Sequence, residues 1–358
     1  MKLFKSISCL CLVVGLLVFL TGCPSTTDTA SNIKPKGMQY FSFFDTASQI
    51  ISYAGDSDKE FEARCKGASE ILLDYHRMFD IYHEYSGINN LRTVNLNAGG
   101  EPVEVDERLI EFLLYTQWLY AATDGEMNVM MGSVLRPWHD CRTEALDPAN
   151  SEPARIPEMD ELTEAKKHTA ISLLEIDVEK NTVRITDSKA SIDVGAIGKG
   201  YATEKAAEYL ESVGATSYVL NIGGNIRIIG TKVDGTGWKT GVTDPHDKNR
   251  YAMYLNIADI SCVTSGDYER FYTVDGVRYH HIIDKDTLMP ANYFSSVTIL
   301  TSDSGLADAL STALFSMSYE DGLKLLEKID ERVEVLWITK DGTQYQTEGL
   351  VDYIHKNN

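Results

Sequence analysis

Four stretches with strand character, 217–231, 251–264, 270–283 and 295–301, follow one another with no helical stretch between them. Parallel strands need a crossover, usually a helix, so this order argues against a doubly wound parallel sheet. Apolar residues at helical spacing mark 59–83 (Phe61, Ala68, Ile71, Leu72, Tyr75, Met78, Phe79) and 106–123 (Leu109, Phe112, Leu113, Tyr115, Leu119, Tyr120). Residues 200–213, 305–317 and 319–328 supply three further helices, and 39–54, 181–194 and 333–346 three further strands. Helices that do not strictly alternate with strands read as an α+β fold, here one large domain of mixed sheets with packed helices. Residues 143–158, with three prolines and many acids, are expected to form an exposed loop.

The N-terminus reads as an address. Lys2 and Lys5 precede an apolar run from Leu10 to Leu20, which ends in Leu20-Thr21-Gly22-Cys23. That run falls short of the roughly 20 residues a membrane-spanning helix needs, and its basic start and small-residue end describe a secretory signal. The ending resembles a bacterial lipoprotein signal. On that resemblance residues 1–22 are removed, Cys23 carries the lipid and 23–36 form a flexible tether. The protein is then exported and anchored to a cell-envelope membrane, with the domain at 37–358 outside the cytoplasm. An ordinary cleaved signal with a chance cysteine is the alternative.

Charge restricts the partners. The chain carries 33 Lys+Arg against 53 Asp+Glu, a formal charge of −20, which becomes −22 without Lys2 and Lys5. Such a protein repels nucleic-acid phosphates, and any phosphate ligand must be held by a metal ion or by local donors. Of six cysteines, Cys65, Cys141 and Cys262 lie beyond the signal and Cys23, far apart and without C-x-x-C spacing. Neither a disulfide framework nor a zinc site is suggested.

Four segments could carry chemistry. Ser191-Ile-Asp-Val-Gly-Ala-Ile-Gly-Lys-Gly200 runs into an Ala- and Glu-rich helix. Its glycines and the free amides of a helix start suit a phosphate, and a tight strand-to-helix turn explains it equally well. Val219-Leu-Asn-Ile-Gly-Gly-Asn-Ile-Arg227 places Asn221, Gly223, Gly224 and Asn225 where something packs closely, or where a β-bulge sits. Tyr279-His280-His281-Ile-Ile-Asp284 offers a base and a carboxylate on a strand-to-turn bend. Asp308 and Thr312, four apart on a helix, offer hard oxygens to Mg²⁺, or else are a helix-start aspartate and a self-bonded threonine.

In this order, Asp193-Val-Gly-Ala-Ile-Gly-Lys-Gly-Tyr-Ala202, Asn221-Ile-Gly-Gly-Asn225, Thr264-Ser-Gly-Asp-Tyr-Glu-Arg270, His280-His-Ile-Ile-Asp284 and Asp308-Ala-Leu-Ser-Thr312 resemble the ApbE family. Its members are exported FAD:protein FMN transferases, often lipoproteins. The resemblance covers about residues 38–350. It implies a magnesium site at the Ala196 carbonyl, Asp308 and Thr312. It implies FAD contacts from Asp193, Lys199 and His281 or Ile282, with Phe44 and Tyr82 beside the flavin. Glu126, Met127 and Asn128 fall where the family usually has Ala-Phe-Asp. Departures are Asn128 for the usual aspartate, Ser133-Val-Leu-Arg-Pro-Trp138-His for Pro-Leu-Val-x-Leu-Trp-Gly, Lys285 for a common proline and Leu288 for a common glycine.

The expected reaction joins the two readings. Mg²⁺ on Asp308 and Thr312, with amides near Gly198–Gly200 and Gly223–Gly224, offsets the diphosphate charge. His281, oriented by Asp284, takes the proton of an acceptor Ser/Thr hydroxyl that attacks the FMN phosphorus, and AMP leaves. The resemblance implies that the acceptor is an exported flavoprotein subunit of a membrane redox complex. One alternative is a Mg²⁺-dependent FAD pyrophosphatase releasing FMN and AMP. The other is a non-catalytic flavin-binding lipoprotein.

Overall fold

The computed structural model describes residues 33–356. The signal segment 1–22, the lipid site Cys23 and the tether up to residue 32 lie outside the described residues. The chain opens with β1 (Lys36–Phe43), β2 (Thr46–Ser52), α1 (Asp58–Phe79), α2 (Leu91–Leu96), β3 (Val103–Glu104), α3 (Glu107–Ala122), α4 (Gly132–Leu146) and α5 (Met159–Lys166). It continues through β4 (Leu174–Asp177), β5 (Thr182–Ile185), α6 (Gly198–Ser212), β6 (Ser217–Ile222), β7 (Asn225–Gly230), β8 (Trp238–Asp244), β9 (Asp247–Ile257) and β10 (Ser261–Gly266). It closes with β11 (Phe271–Val274), β12 (Val277–His280), β13 (Ser296–Thr301), α7 (Ser304–Phe315), α8 (Tyr319–Leu326), β14 (Glu334–Ile338) and β15 (Gln344–Gln346). Among the described residues no helix is long and apolar enough to cross a membrane.

Eight strands form one sheet in the order β1-β2-β6-β7-β10-β13-β14-β15, every neighbour antiparallel. This is the α+β arrangement expected from the uninterrupted strand succession. One face carries the main core. Helix α1 buries Phe61, Cys65, Ala68, Leu72, Tyr75, Met78 and Phe79 there, the large ones contributing about 1.5–3 kcal/mol each. The Ser57 capping box fixes where α1 begins. Helix α7 packs against β10 and β13 on one side and α6 on the other, so its side chains are buried almost throughout. The β8–β9 hairpin covers the other face through Trp238, Val242, Leu255 and Ile257. A satellite core of Trp138, Cys141, Leu162, Tyr272 and Leu288 joins α4 and α5 to the β11–β12 hairpin. Cys65, Cys141 and Cys262 are all free and buried.

Several expected strands resolve into hairpins. The stretch 39–54 turns at Phe44-Asp45, 217–231 at Gly223-Gly224 and 270–283 at Asp275-Gly276, each pair with φ between 49° and 87°. These are two-residue turns with both central residues left-handed, the form that matches strand twist. The glycine pair is therefore a turn and not a bulge. Of 181–194 only Thr182–Ile185 is strand, followed by a loop with one bridge from Ser191 to Met131. The loop expected at 143–158 begins inside α4, which runs to Leu146 despite Pro137. Proline within, glycine at the start and many polar residues mask that helix in the sequence.

Candidate active site

Two helices meet at the expected metal ligands. The Gly200 amide, four residues after Ala196, donates to Asp308 Oδ2 at 2.8 Å rather than to the Ala196 carbonyl. Lys199 Nζ lies 3.3 Å from both Asp308 oxygens, and Asp308 is buried. Thr312 lies one turn further along α7 and shares Ser265 Oγ with Ser311, at 3.4 and 2.8 Å. The approach is close because residue 200 has no side chain: a Cβ there would sit 2.4 Å from Asp308 Cβ and 2.3 Å from the Ser304 carbonyl oxygen. A buried carboxylate, a hydroxyl and a carbonyl without its usual helical partner form a hard-oxygen set that fits a magnesium ion. Among the described residues no cluster of three His, Cys, Asp or Glu side chains competes as a metal site.

Lys199 also acts on His281. The β11–β12 register pairs Phe271 with His280, and the His281 amide donates to the Arg270 carbonyl at 3.0 Å. Alternation along the hairpin sends the two histidines to opposite faces. His280 goes into the core, with Nε2 2.9 Å from the Ala291 carbonyl oxygen and its ring edge-on to Phe315. His281 faces the site, and its Nδ1 is buried without a partner among the described residues. Burial, then the charges of Arg270, Arg142, His280 and Lys199, push the His281 imidazole down to about 3. The imidazole is therefore neutral at neutral pH, with a free nitrogen but weak basicity while the surrounding cations are unscreened.

Asp284 does not orient His281. Its Oδ1 accepts from the amides of Asp286 and Thr287, at 2.7 and 2.9 Å, and closes the turn that follows. Leu288 holds the left-handed conformation there, φ 61°, where the family commonly has glycine. It is fixed by burial in the satellite core and by the Trp138 indole, which donates to its carbonyl at 3.0 Å. Ile282 is buried, its amide 3.3 Å from His280 Nδ1.

Most of the expected backbone cradle for phosphate is otherwise engaged. Gly223 donates to the Ala47 carbonyl, Gly224 to Asn221 Oδ1, Gly198 to the Val194 carbonyl and Gly200 to Asp308. Asn221, Gly223 and Gly224 thus build a turn whose tip packs on the β1–β2 turn: a Cβ at Gly223 would meet Thr46 at 2.5 Å. Phe44, in that second turn, donates its amide to His76 Nδ1 at 3.1 Å and stands edge-on to that ring.

Of the remaining positions, Asp193 and Tyr82 lie near Arg142 and Arg270, and Glu126, Met127 and Asn128 make structural contacts. The Asp193 amide bonds the Val129 carbonyl, and its Oδ1 accepts from Gly195 at 2.8 Å. Burial raises its carboxyl above the usual range against that bond and the nearby His139, Arg270 and Arg142. Tyr82 stacks on His139 at 5.0 Å between ring centres and keeps half its surface exposed. Glu126 is paired with Lys285 at 3.0 Å, and burial still raises its carboxyl. Met127 is core, and both ends of the Asn128 amide serve the backbone, Nδ2 donating to Thr169 and Oδ1 accepting from Met130. Arg142, His139 and the part Arg270 plays do not emerge from the sequence motifs. The three-residue spacing of His139 and Arg142 on one helix face is the available signal.

The ApbE family model matches residues 44–337, most of the chain. The chain belongs to the ApbE family. Two relatives named FAD:protein FMN transferase support this membership. The one from Treponema pallidum is 32% identical over 279 residues, 74% of this chain and 74% of the relative. The one from Vibrio cholerae is 30% identical over 275 residues, 76% and 80%. Among solved structures, the ApbE protein of Thermotoga maritima superposes with a TM-score of 0.78 at 30% identity, covering 90% of this chain and all of that one. The flavin transferase ApbE of Vibrio cholerae gives 0.73 at 27%, covering 89% and 100%. The α+β architecture is that of ApbE proteins.

Proposed function

We propose that this ApbE-family protein is a FAD:protein FMN transferase that moves FMN from FAD onto a Ser/Thr hydroxyl of an acceptor flavoprotein through a phosphoester. The observation that carries the reading is the buried Asp308 carboxylate paired with Lys199 and held by the Gly200 amide, within a chain whose relatives bear that name. A magnesium ion held by Asp308, Thr312 and the Ala196 carbonyl would neutralise charge on the diphosphate and fix its orientation. His281 accepts the proton of the acceptor hydroxyl. The hydroxyl oxygen forms a bond to the FMN phosphorus, the phosphoanhydride bond breaks, and its electron pair leaves with AMP. Such a base contributes about 10²–10⁴ in rate. Phe44 and Tyr82 supply aromatic surface for the flavin. Export, a lipid anchor on Cys23, removal of residues 1–22, and an acceptor within a membrane redox complex belong to this reading. They rest on the sequence of the first 36 residues and on the habit of the family.

The test is chromatography of FAD with protein and Mg²⁺, with and without an exported flavoprotein subunit. Transfer predicts AMP that depends on the acceptor, with little free FMN. Equal AMP and FMN without acceptor would make the protein a pyrophosphatase, and bound FAD without AMP a carrier.

A further inference from the structure

We propose that Arg142 and Arg270 form a side-chain clamp for the diphosphate of the dinucleotide beside His281; this rests on the flavin-transferase reading. The β11–β12 hairpin places the two residues. Its cross-strand pair Tyr272–Tyr279 meets Trp138 of α4, so this is the face that α4 covers. Side chains two apart share a face, which puts Arg270 and His281 at the open end of the same face, joined by their 3.0 Å backbone bond. Arg142 arrives from α4, one turn beyond Trp138. Among the described residues its guanidinium holds only His139 Nδ1, at 3.1 Å.

In a chain with 53 acids, neither arginine forms an ion pair with a carboxylate among the described residues. Burial first, and then the neighbouring Arg270 charge, holds the Arg142 guanidinium below its usual range. Asp193 is the carboxyl whose charge reaches both guanidinium groups, but it forms no ion pair with either, so two cations stand beside a partnerless buried imidazole nitrogen with donors left for an anion. Planar guanidinium forks suit phosphate oxygens in two-point contact, and they add donors where most of the nearby backbone amides are engaged. An anion between them also removes the main charges that suppress the His281 proton affinity, so the base strengthens as the substrate arrives.

The test is FAD binding by flavin fluorescence, in EDTA and at two salt concentrations, with Arg142→Gln and Arg270→Gln. Each variant is expected to weaken FAD about tenfold and to flatten its salt dependence. Arg142→Lys, which keeps the charge, should recover part of the loss. Arg270 is exposed, so its variant carries the test if Arg142→Gln fails to fold. Unchanged FAD affinity, or a loss with the salt dependence intact, would overturn the clamp. An unchanged FAD affinity with a raised acceptor KM would assign the arginines to the acceptor instead. If the wild-type protein binds no FAD even when Mg²⁺ replaces EDTA, the flavin-transferase reading itself fails, and the clamp with it.

Discussion

The Gly200 amide and the Asp308 carboxylate, 108 residues apart in sequence, are joined by a 2.8 Å hydrogen bond that ties the first turn of α6 to the middle of α7. The absent side chain at residue 200 makes this possible, and the same contact holds Asp308 opposite Lys199. Gly200→Ala therefore has to separate the helices. An overpacked contact of this kind costs about 1–3 kcal/mol. Thermal melting should register that loss, and Mg²⁺-dependent turnover should fall with it. Asp308→Asn keeps the shape and removes the charge. It should lower turnover about 100-fold or more while melting within a few degrees of wild type. Full Mg²⁺-dependent turnover in Asp308→Asn would remove this carboxylate from the metal site.

His281 sets the acid limb of the pH profile. With its imidazole pushed down to about 3 in the protein without substrate, kcat/KM should hold its plateau well below the ordinary histidine value near 6.5. The kcat limb should lie higher, because substrate phosphate offsets the surrounding cations. His281→Ala should lose both the limb and about 10²–10⁴ in kcat. A limb that stays in place in the variant would assign the base elsewhere.

The same depression links to stability. The unfolded chain takes up a proton on His281 near pH 6.5, whereas the folded chain resists until about 3, and on His280 until about 4. Stability is complete above pH 6.5 and falls as pH drops below it, with a slope of up to about 1.4 kcal/mol per pH unit for each histidine. Urea midpoints between pH 7 and 5 should fall in wild type and fall less steeply in His280→Gln.

Lys285 stands where a proline is common in the family and pairs with the partly buried Glu126. Lys285→Ala leaves that carboxyl without its cation in surroundings that already raise its proton affinity. The expected cost is about 1–3 kcal/mol, relieved as the pH falls and Glu126 takes up a proton. Denaturant unfolding of the variant at pH 7.5 and 4.5 checks this. A loss that does not shrink at acid pH would detach it from Glu126.

Leu288→Gly restores the family's common residue and should nonetheless destabilise the protein. Releasing a left-handed leucine returns about 1–2 kcal/mol. Losing its buried side chain beside Trp138 costs about 2–5 kcal/mol. The lost burial outweighs the relieved backbone, so the melting temperature should drop.

What is legible in the sequence depends on range. The helical stripes at 59–83 and 106–123 and the Asp308–Thr312 spacing are local patterns, and the structure shows them as helices. The turn at Phe44-Asp45 is hidden because neither residue is glycine, and α4 because it contains Pro137. Within the site, motif order points to Asp308 and Lys199, yet their contact depends on Gly200 meeting another helix. Asp284 looks like a partner of His281 because the two are near in sequence, but its Oδ1 closes the following turn and no hydrogen bond joins it to His281. Arg142 escapes notice because its significance lies in a missing partner, and only the folded arrangement reveals that.

The most direct measurement is the intact mass of an exported flavoprotein subunit after incubation with FAD and Mg²⁺, using wild-type protein and His281→Ala in parallel. Wild type should add one FMN through a phosphoester and release AMP in equal amount, and the variant should give almost none of either. An unmodified subunit accompanied by free FMN and AMP would contradict the transferase.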